Sequence, residues 1–432
     1  MNGKKLFFVF LCGLYFLLPF LTLHTSGSPE VWRWSQLYFF IVIFYAVFVV
    51  LCTVLYFFFD QFGGTYCVFL IIFYGLSLVL IDFIIGSKNF YKHTKMTEHP
   101  IYHHQLLTGK HHLGVTNVTF HDHSYAMHVN ALGLRSAEDI PYKKPLGHFR
   151  ILALGDSFTE GKGVNDEETF CHLVGHQLNR ISGKAGRITY EMLNAGVSSF
   201  VPVLEYLYLK TKGIKFEPDF VILFYDMSDL VQTRKYLKDA EFDSTGEVIR
   251  VPPPVDSWRL RLKTFVKSRF YFMSVLYKKI FVDSGKKEAA IGEPTRDLML
   301  FSLSVDQTPW FKDWQRVFSD IEMMRAFCRE RNIGFAVVIY PWGHQVNNAE
   351  WDLDRKVFGI PADYTAPAAA ADMMVRELKV RRIDTLNLFP VFRNYQGSAR
   401  LYFRHDMHWN KEGHALAAGQ VTEFLKTRIP GL

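Results

Sequence analysis

Three stretches near the start of the chain lack any polar periodicity. Leu6–Leu23 and Leu37–Phe59 carry no charge, and Thr65–Gly86 carries only Asp82. Each is long enough to cross a bilayer at about 1.5 Å per residue, and none has the polar stripe of a buried globular helix. The pattern predicts a membrane anchor over residues 1–86 with three transmembrane helices, at about 6–23, 37–59 and 65–86. Lys4, Lys5 and the small residues Thr25-Ser26-Gly27 also suit a secretory signal. The apolar run is long for one, so a retained helix is expected.

Residues 87–147 are polar and weakly periodic, and read as a juxtamembrane His-rich segment. From residue 148 to 432 strand and helix patterns alternate. Strands are predicted at Phe149–Leu154, Ile188–Leu193, Asp219–Tyr225, Phe335–Tyr340 and Thr385–Leu388. Helices are predicted at Asn165–Ile181, Val203–Lys212, Trp314–Glu330, Tyr364–Val380 and Lys411–Arg428. Asn165 suits an N-cap, with Glu168 three residues later. Such alternation predicts an α/β domain, a parallel sheet covered by helices on both faces, with its site at the carboxyl ends of the strands. Residues 231–312 break the rhythm with Pro252-Pro253-Pro254 and a basic stretch through Arg259, Arg261, Lys263, Lys267 and Arg269, and read as an insertion.

Composition agrees with this division. The mean hydropathy is +0.04. Residues 1–86 hold 16 of the 40 Phe, and their three cations balance three acids, so the net charge of +7 belongs to the remainder. A disordered chain and a disulfide scaffold are excluded by 49% apolar residues and only 5 Cys. Cys12, Cys52 and Cys67 fall in the predicted spans, and Cys171 and Cys328 in apolar helical patterns. The modest charge, without a basic stripe interleaved with aromatics, argues against a nucleic-acid partner.

The strongest chemical signal is Gly155-Asp156-Ser157-Phe158-Thr159-Glu160-Gly161, directly after a strand. A serine at a strand-to-helix turn is held at the sheet edge with its hydroxyl free, beside backbone N–H groups able to stabilise an oxyanion. A phosphate loop is excluded by the spacing from Gly155 to Gly161 and by Gly163 in place of Ser or Thr. The G-x-S-x-G elbow is absent. A nucleophilic serine needs a base. Near the C-terminus, Asp406 stands two residues before His408, ahead of a helix, so Asp406 is a candidate to hold one ring nitrogen while the other faces Ser157.

These two blocks resemble those of the SGNH (GDSL) hydrolases, and the similarity extends over about residues 130–428. Asn130-Ala131-Leu132-Gly133-Leu134-Arg135 is also similar to a stretch in membrane-attached members. The resemblance implies a three-layer α/β/α, flavodoxin-like SGNH domain and a serine esterase or O-acyltransferase without cofactor or metal. It implies Ser157 as nucleophile, His408 as base then acid, and Asp406 as its orienting partner. Ser157, Gly196 and Ser228 are implied as the oxyanion hole. Ser228 departs from the family, which has Asn in its third block. The Asp-x-His spacing is shorter than in many family esterases and resembles the polysaccharide O-acetylation proteins.

The expected substrate is an acylated glycan, lipid or wall polymer. A non-catalytic binding or assembly protein on a degenerate SGNH fold is the alternative. Counting Lys and Arg beside the spans favours a cytoplasmic domain, whereas the resemblance implies the extracytoplasmic, periplasmic side, and the latter is the expectation adopted. Nine of the 17 His lie between His93 and His128. They lack a helical zinc pattern and are expected to pack against the domain. Oligomeric state is not legible.

Overall fold

The computed structural model describes residues 118–120, 123–183, 188–237, 240–244, 246–251, 311–353, 355, 360–429 and 432. The expected membrane anchor, the His-rich segment up to residue 117 and most of the expected insertion lie outside these. Among the described residues no helix is long and apolar enough to cross a membrane.

Five strands form one parallel sheet: β3 (His148–Leu154), β4 (Thr189–Asn194), β5 (Phe220–Tyr225), β8 (Gly334–Ile339) and β9 (Asp384–Asn387). Their spatial order is β4-β3-β5-β8-β9. Phe220–Tyr225 is buried at every position, the apolar run that a strand covered on both faces requires. Two antiparallel hairpins stand apart from the sheet, β1 (Val118–Phe120) with β2 (His123–Tyr125), and β6 (Glu241–Phe242) with β7 (Val248–Arg250).

Helix α2 (Phe170–Ser182) crosses from β3 to β4 and packs on α9 (Lys411–Lys426). The chain then reverses direction along the sheet. Helix α3 (Pro202–Thr211) leads back to β5, and α4 (Asp229–Leu237) and α5 (Phe311–Arg329) lead from β5 to β8. These three pack together, and two short helices follow the last strands, α6 (Gly343–Val346) after β8 and α8 (Phe389–Arg393) after β9. Right-handed crossovers turn the reversal into helices on opposite faces of the sheet. The reversal opens a crevice at the carboxyl ends of β3 and β5, where open α/β sheets bind ligands.

Several boundaries differ from expectation. The helix expected from Asn165 is split. A short 3-10 turn, Asp166–Glu168, comes first, with Glu168 accepting from the Asn165 N–H at 2.9 Å. Thr169 then returns to extended backbone and caps α2. The helix expected from Tyr364 begins at Ala369 as α7 (Ala369–Val380), because Pro367 disfavours helical backbone before it. The rhythm expected to break at 231 continues to 237, since α4 packs on α3 and α5. The domain expected from 148 begins earlier: Tyr125, Met127, Val129 and Leu134 are buried in the same core as the sheet.

The C-terminal core is aromatic. Trp409 is fully buried, with its ring centroid 5.2 Å from Phe158, 5.0 Å from Tyr340 and 5.2 Å from Phe392. Its neighbour His408 is seated by these contacts. Trp409→Ala is expected to cost about 3–5 kcal/mol by leaving a cavity, read as a lower urea midpoint by circular dichroism. A midpoint unchanged from wild type would show that the loop does not depend on this ring.

Candidate active site

Helix α1 (Ser157–Glu160) starts where β3 ends. Asp156 caps it, its Oδ1 accepting from the Phe158 N–H at 2.9 Å. Gly161 closes it in the left-handed region at φ 78°, and a Cβ there would lie 2.6 Å from Thr169 Cγ2 and 2.7 Å from Arg135 Nη1. The buried Arg135 straps the following turn through the carbonyls of Glu160, Gly161 and Val164, and pairs with Asp166 at 3.0 Å. The expected Asn130–Arg135 motif therefore supports the Ser157 turn.

At the other end of the domain, the 400–410 loop closes on itself. Asn410 N–H donates to Leu401 O at 3.0 Å and Phe403 N–H to His408 O at 3.1 Å. Asn410 then caps α9 through Glu412 N–H and Gly413 N–H. This closure delivers the buried His408 to Ser157, with Nε2 2.6 Å from Oγ. His408 Nδ1 meets the Asp406 carboxylate, which also accepts the His408 N–H at 3.0 Å. Ser157 is half-buried, so its hydroxyl is reachable. The line Ser157–His408–Asp406 joins residues 251 positions apart. A second histidine, His414, is buried nearby and cannot take the base's place. Burial pushes its pKa down to about 3, and its Nδ1 accepts from Phe170 N–H.

Two expected donors are otherwise engaged. The Gly196 N–H goes to Asn194 Oδ1 at 3.0 Å, so it is not free for an oxyanion. Gly196 serves close approach instead: a Cβ would lie 2.3 Å from Glu160 N, in the backbone of α1. The Ser228 hydroxyl hydrogen-bonds the Asp226 carboxylate and accepts from Gln232 Nε2 at 3.0 Å. A residue that sequence reasoning missed lies in the same loop as Gly196. Ser199 takes φ 64°, is exposed, and its N–H has no partner among the described residues. The turn is tied to the nucleophile by Val197 N–H to Gly155 O at 3.0 Å. A serine in a glycine-like conformation leaves no mark in the sequence.

Below Ser157 lies a buried acidic group. Asp156 accepts from the Tyr340 hydroxyl at 2.7 Å and hydrogen-bonds Asp226, which accepts from Trp342 Nε1 at 2.8 Å and from Ser228 N–H. Burial first, and the Asp226 charge second, raise the Asp156 pKa to about 8. Asp226, Asp229 and Glu205 are raised by burial as well. Asp156 thus holds a proton and bridges to Asp226 rather than reacting. No group of residues able to hold a metal ion is found among the described residues.

Residues 303–432 match the family model of the SGNH hydrolase-like domain of acetyltransferase AlgX. That stretch holds β8, β9 and the Asp406-x-His408 loop, but not Ser157. The chain is similar to a two-domain esterase active on acetylated mannans, at 15% identity over 65% of this chain and 49% of that one, with a TM-score of 0.33. It therefore spans about half the length of that esterase, 49%. It is also similar to a putative lipolytic protein of the G-D-S-L family from Desulfitobacterium hafniense DCB-2, at 13% identity over 64% and 98% of the two chains, with a TM-score of 0.32. A lipase/acylhydrolase from Enterococcus faecalis has 11% identity over 66% and 98%, with a TM-score of 0.33. No curated protein matches the sequence. A Ser–His–Asp line at the carboxyl edge of a parallel α/β sheet is the arrangement of serine enzymes that act by nucleophilic acyl transfer. Over residues 303–432 the chain is thus similar to the SGNH hydrolase-like domain of the AlgX O-acetylation proteins.

The Asp156 proton makes stability depend on pH. An unfolded aspartate loses its proton near the ordinary 3.8, while the folded one keeps it to about 8. Folding thus takes up a proton in that window, so stability falls as pH rises through it and levels off above. Asp156→Asn keeps the acceptor for Phe158 and Tyr340 but cannot ionise. Its melting temperature relative to wild type is expected to rise steadily between about pH 4 and pH 8 and then hold constant. A difference independent of pH would mean that Asp156 is ionised in the fold.

Proposed function

We propose that this chain is a membrane-anchored serine enzyme that moves an acyl group, acetyl foremost, from or to a hydroxyl of an extracytoplasmic glycan, lipid or wall polymer. The single observation that carries the reading is the Ser157 Oγ to His408 Nε2 contact of 2.6 Å, with Asp406 on the far nitrogen. The acetyltransferase description of the matched family model and the short Asp-x-His spacing support an acetyl group. The uncharged runs within residues 6–86 support the anchor, and the resemblance supports the periplasmic side.

In this mechanism Ser157 Oγ attacks the acyl carbonyl and gives its proton to His408 Nε2. The Asp406 carboxylate holds Nδ1–H and stabilises the imidazolium. The carbonyl electron pair moves onto oxygen, where the N–H groups of Ser157 and Ser199 receive it. Collapse breaks the bond to the leaving alkoxide, which takes the proton back from His408. Water or an acceptor hydroxyl then attacks the acyl-Ser157 ester, its proton passing to His408 and from there to Ser157 as the ester breaks. Hydrolase and transferase differ only in this last nucleophile. A protein that merely binds would have no use for the Ser157–His408 contact, so the geometry favours the enzyme.

Purified full-length protein is expected to react with a fluorophosphonate probe at Ser157, while Ser157→Ala does not. His408→Ala is expected to react roughly 1000-fold more slowly or less, as when a triad base is removed. A folded wild type that stays unlabelled would sink the enzyme reading. Acetate release measured with and without an added sugar acceptor separates hydrolysis from transfer. A reporter fused after Leu432 and active in the cytoplasm would overturn the periplasmic placement.

A further inference from the structure

We propose that Gln232 supplies to the oxyanion the carboxamide N–H that position 228 lacks. The inference rests on acyl transfer through Ser157 and names a further catalytic residue for it. Ser228 sits at the carboxyl edge of β5, next to β3, and is joined to the nucleophile turn through Asp226 and Asp156. Its hydroxyl has one proton, and the Asp226 carboxylate is the acceptor beside it. What remains is a lone pair, and Gln232 Nε2 donates to it at 3.0 Å.

Ser228, Gln232 and Tyr236 are spaced four residues apart, so they stack along one side of α4. The lower end of that row is fixed by Gln232 N–H to Ser228 O at 3.1 Å. The upper end is fixed by the Tyr236 hydroxyl, which donates to Ser199 O at 3.1 Å. The row therefore runs from the third block to the loop that carries the free Ser199 N–H, and Gln232 lies between them. A carboxamide nitrogen has two protons. One is used on Ser228, and the side chain makes no other hydrogen bond among the described residues. Gln232 Nε2 stands 3.0 Å from Ser228 Oγ at a half-buried position, so its second proton is offered beside the place that a longer side chain at 228 would fill. Serine at 228 has no second proton to give the oxyanion. It acts as a bracket for a longer side chain one turn further along, and Gln232 is the donor.

The test uses the full-length chain in detergent, with fluorophosphonate labelling rates and p-nitrophenyl acetate turnover. Gln232→Ala and Gln232→Glu are expected to lower acylation about 100- to 1000-fold with KM little changed, since one oxyanion donor is lost. Gln232→Glu keeps the size of the side chain, so its loss reads the proton rather than the packing. Ser228→Asn restores a carboxamide at the shorter distance, and the double variant Ser228→Asn/Gln232→Ala is expected to recover most of the rate. Two results overturn the role of Gln232: either variant acylating like wild type, or a loss that Ser228→Asn fails to restore. In both, a wild type labelled at Ser157 leaves the acyl-transfer reading standing. A wild type unlabelled at Ser157 removes that reading and the role of Gln232 together.

Discussion

Two carboxyl groups meet where the sheet reverses, and the site depends on their sharing a proton. Asp156 follows β3 and Asp226 follows β5, so neighbouring strands deliver both acids to one buried point. Two charges there would repel in a low-dielectric interior, whereas one proton between them makes a bridge. That bridge joins three pieces of chain. Asp156 takes the Phe158 N–H of the nucleophile turn and the Tyr340 hydroxyl, while Asp226 takes Trp342 Nε1 and the Ser228 N–H. Ser157 is thereby fixed to β5 and to the segment after β8 before any partner reaches it.

The remaining parts close on this centre from both ends of the domain. Arg135 satisfies the carbonyls of Glu160, Gly161 and Val164 in the turn that closes α1. The 400–410 loop brings His408 from the far end. Its ring lies 4.8 Å from Phe158, the residue after the nucleophile. Glu350 supports that loop by accepting the N–H groups of Leu401 and Tyr402. Position, more than any single pKa, prepares Ser157 and His408 for proton transfer.

The fold was largely readable because its strands are covered on both faces. A run such as Phe220–Tyr225 has no polar alternation to confuse it with an edge strand, and helices separate each strand from the next. Boundaries failed where local backbone chemistry intervened. Thr169 in extended backbone and Pro367 ahead of α7 each moved a helix start by several residues. The N-terminal limit of the domain failed for another reason. Tyr125, Met127 and Val129 look like scattered apolar residues in a polar segment, and only their burial in the common core reveals their part.

Within the site, the division follows the reach of each interaction. Ser157, Asp406 and His408 were legible because a nucleophile, a base and its partner must be those residue types, and their local strings carry the turn and the cap with them. Donors were not. Any residue has a backbone N–H, so Gly196 drew attention while its N–H was committed to Asn194, and Ser199 drew none while its N–H stood free. Gln232 lies four residues from Ser228 in a polar helix, and only the hydrogen bonds at both ends of that row give it a direction. The sequence alone determined the strand-and-helix order, the apolar runs of residues 6–86 and the three reacting side chains, since each depends on residue type and short-range spacing. The tertiary structure decided which donors are free and which acids share a proton, because those depend on what neighbouring strands bring together.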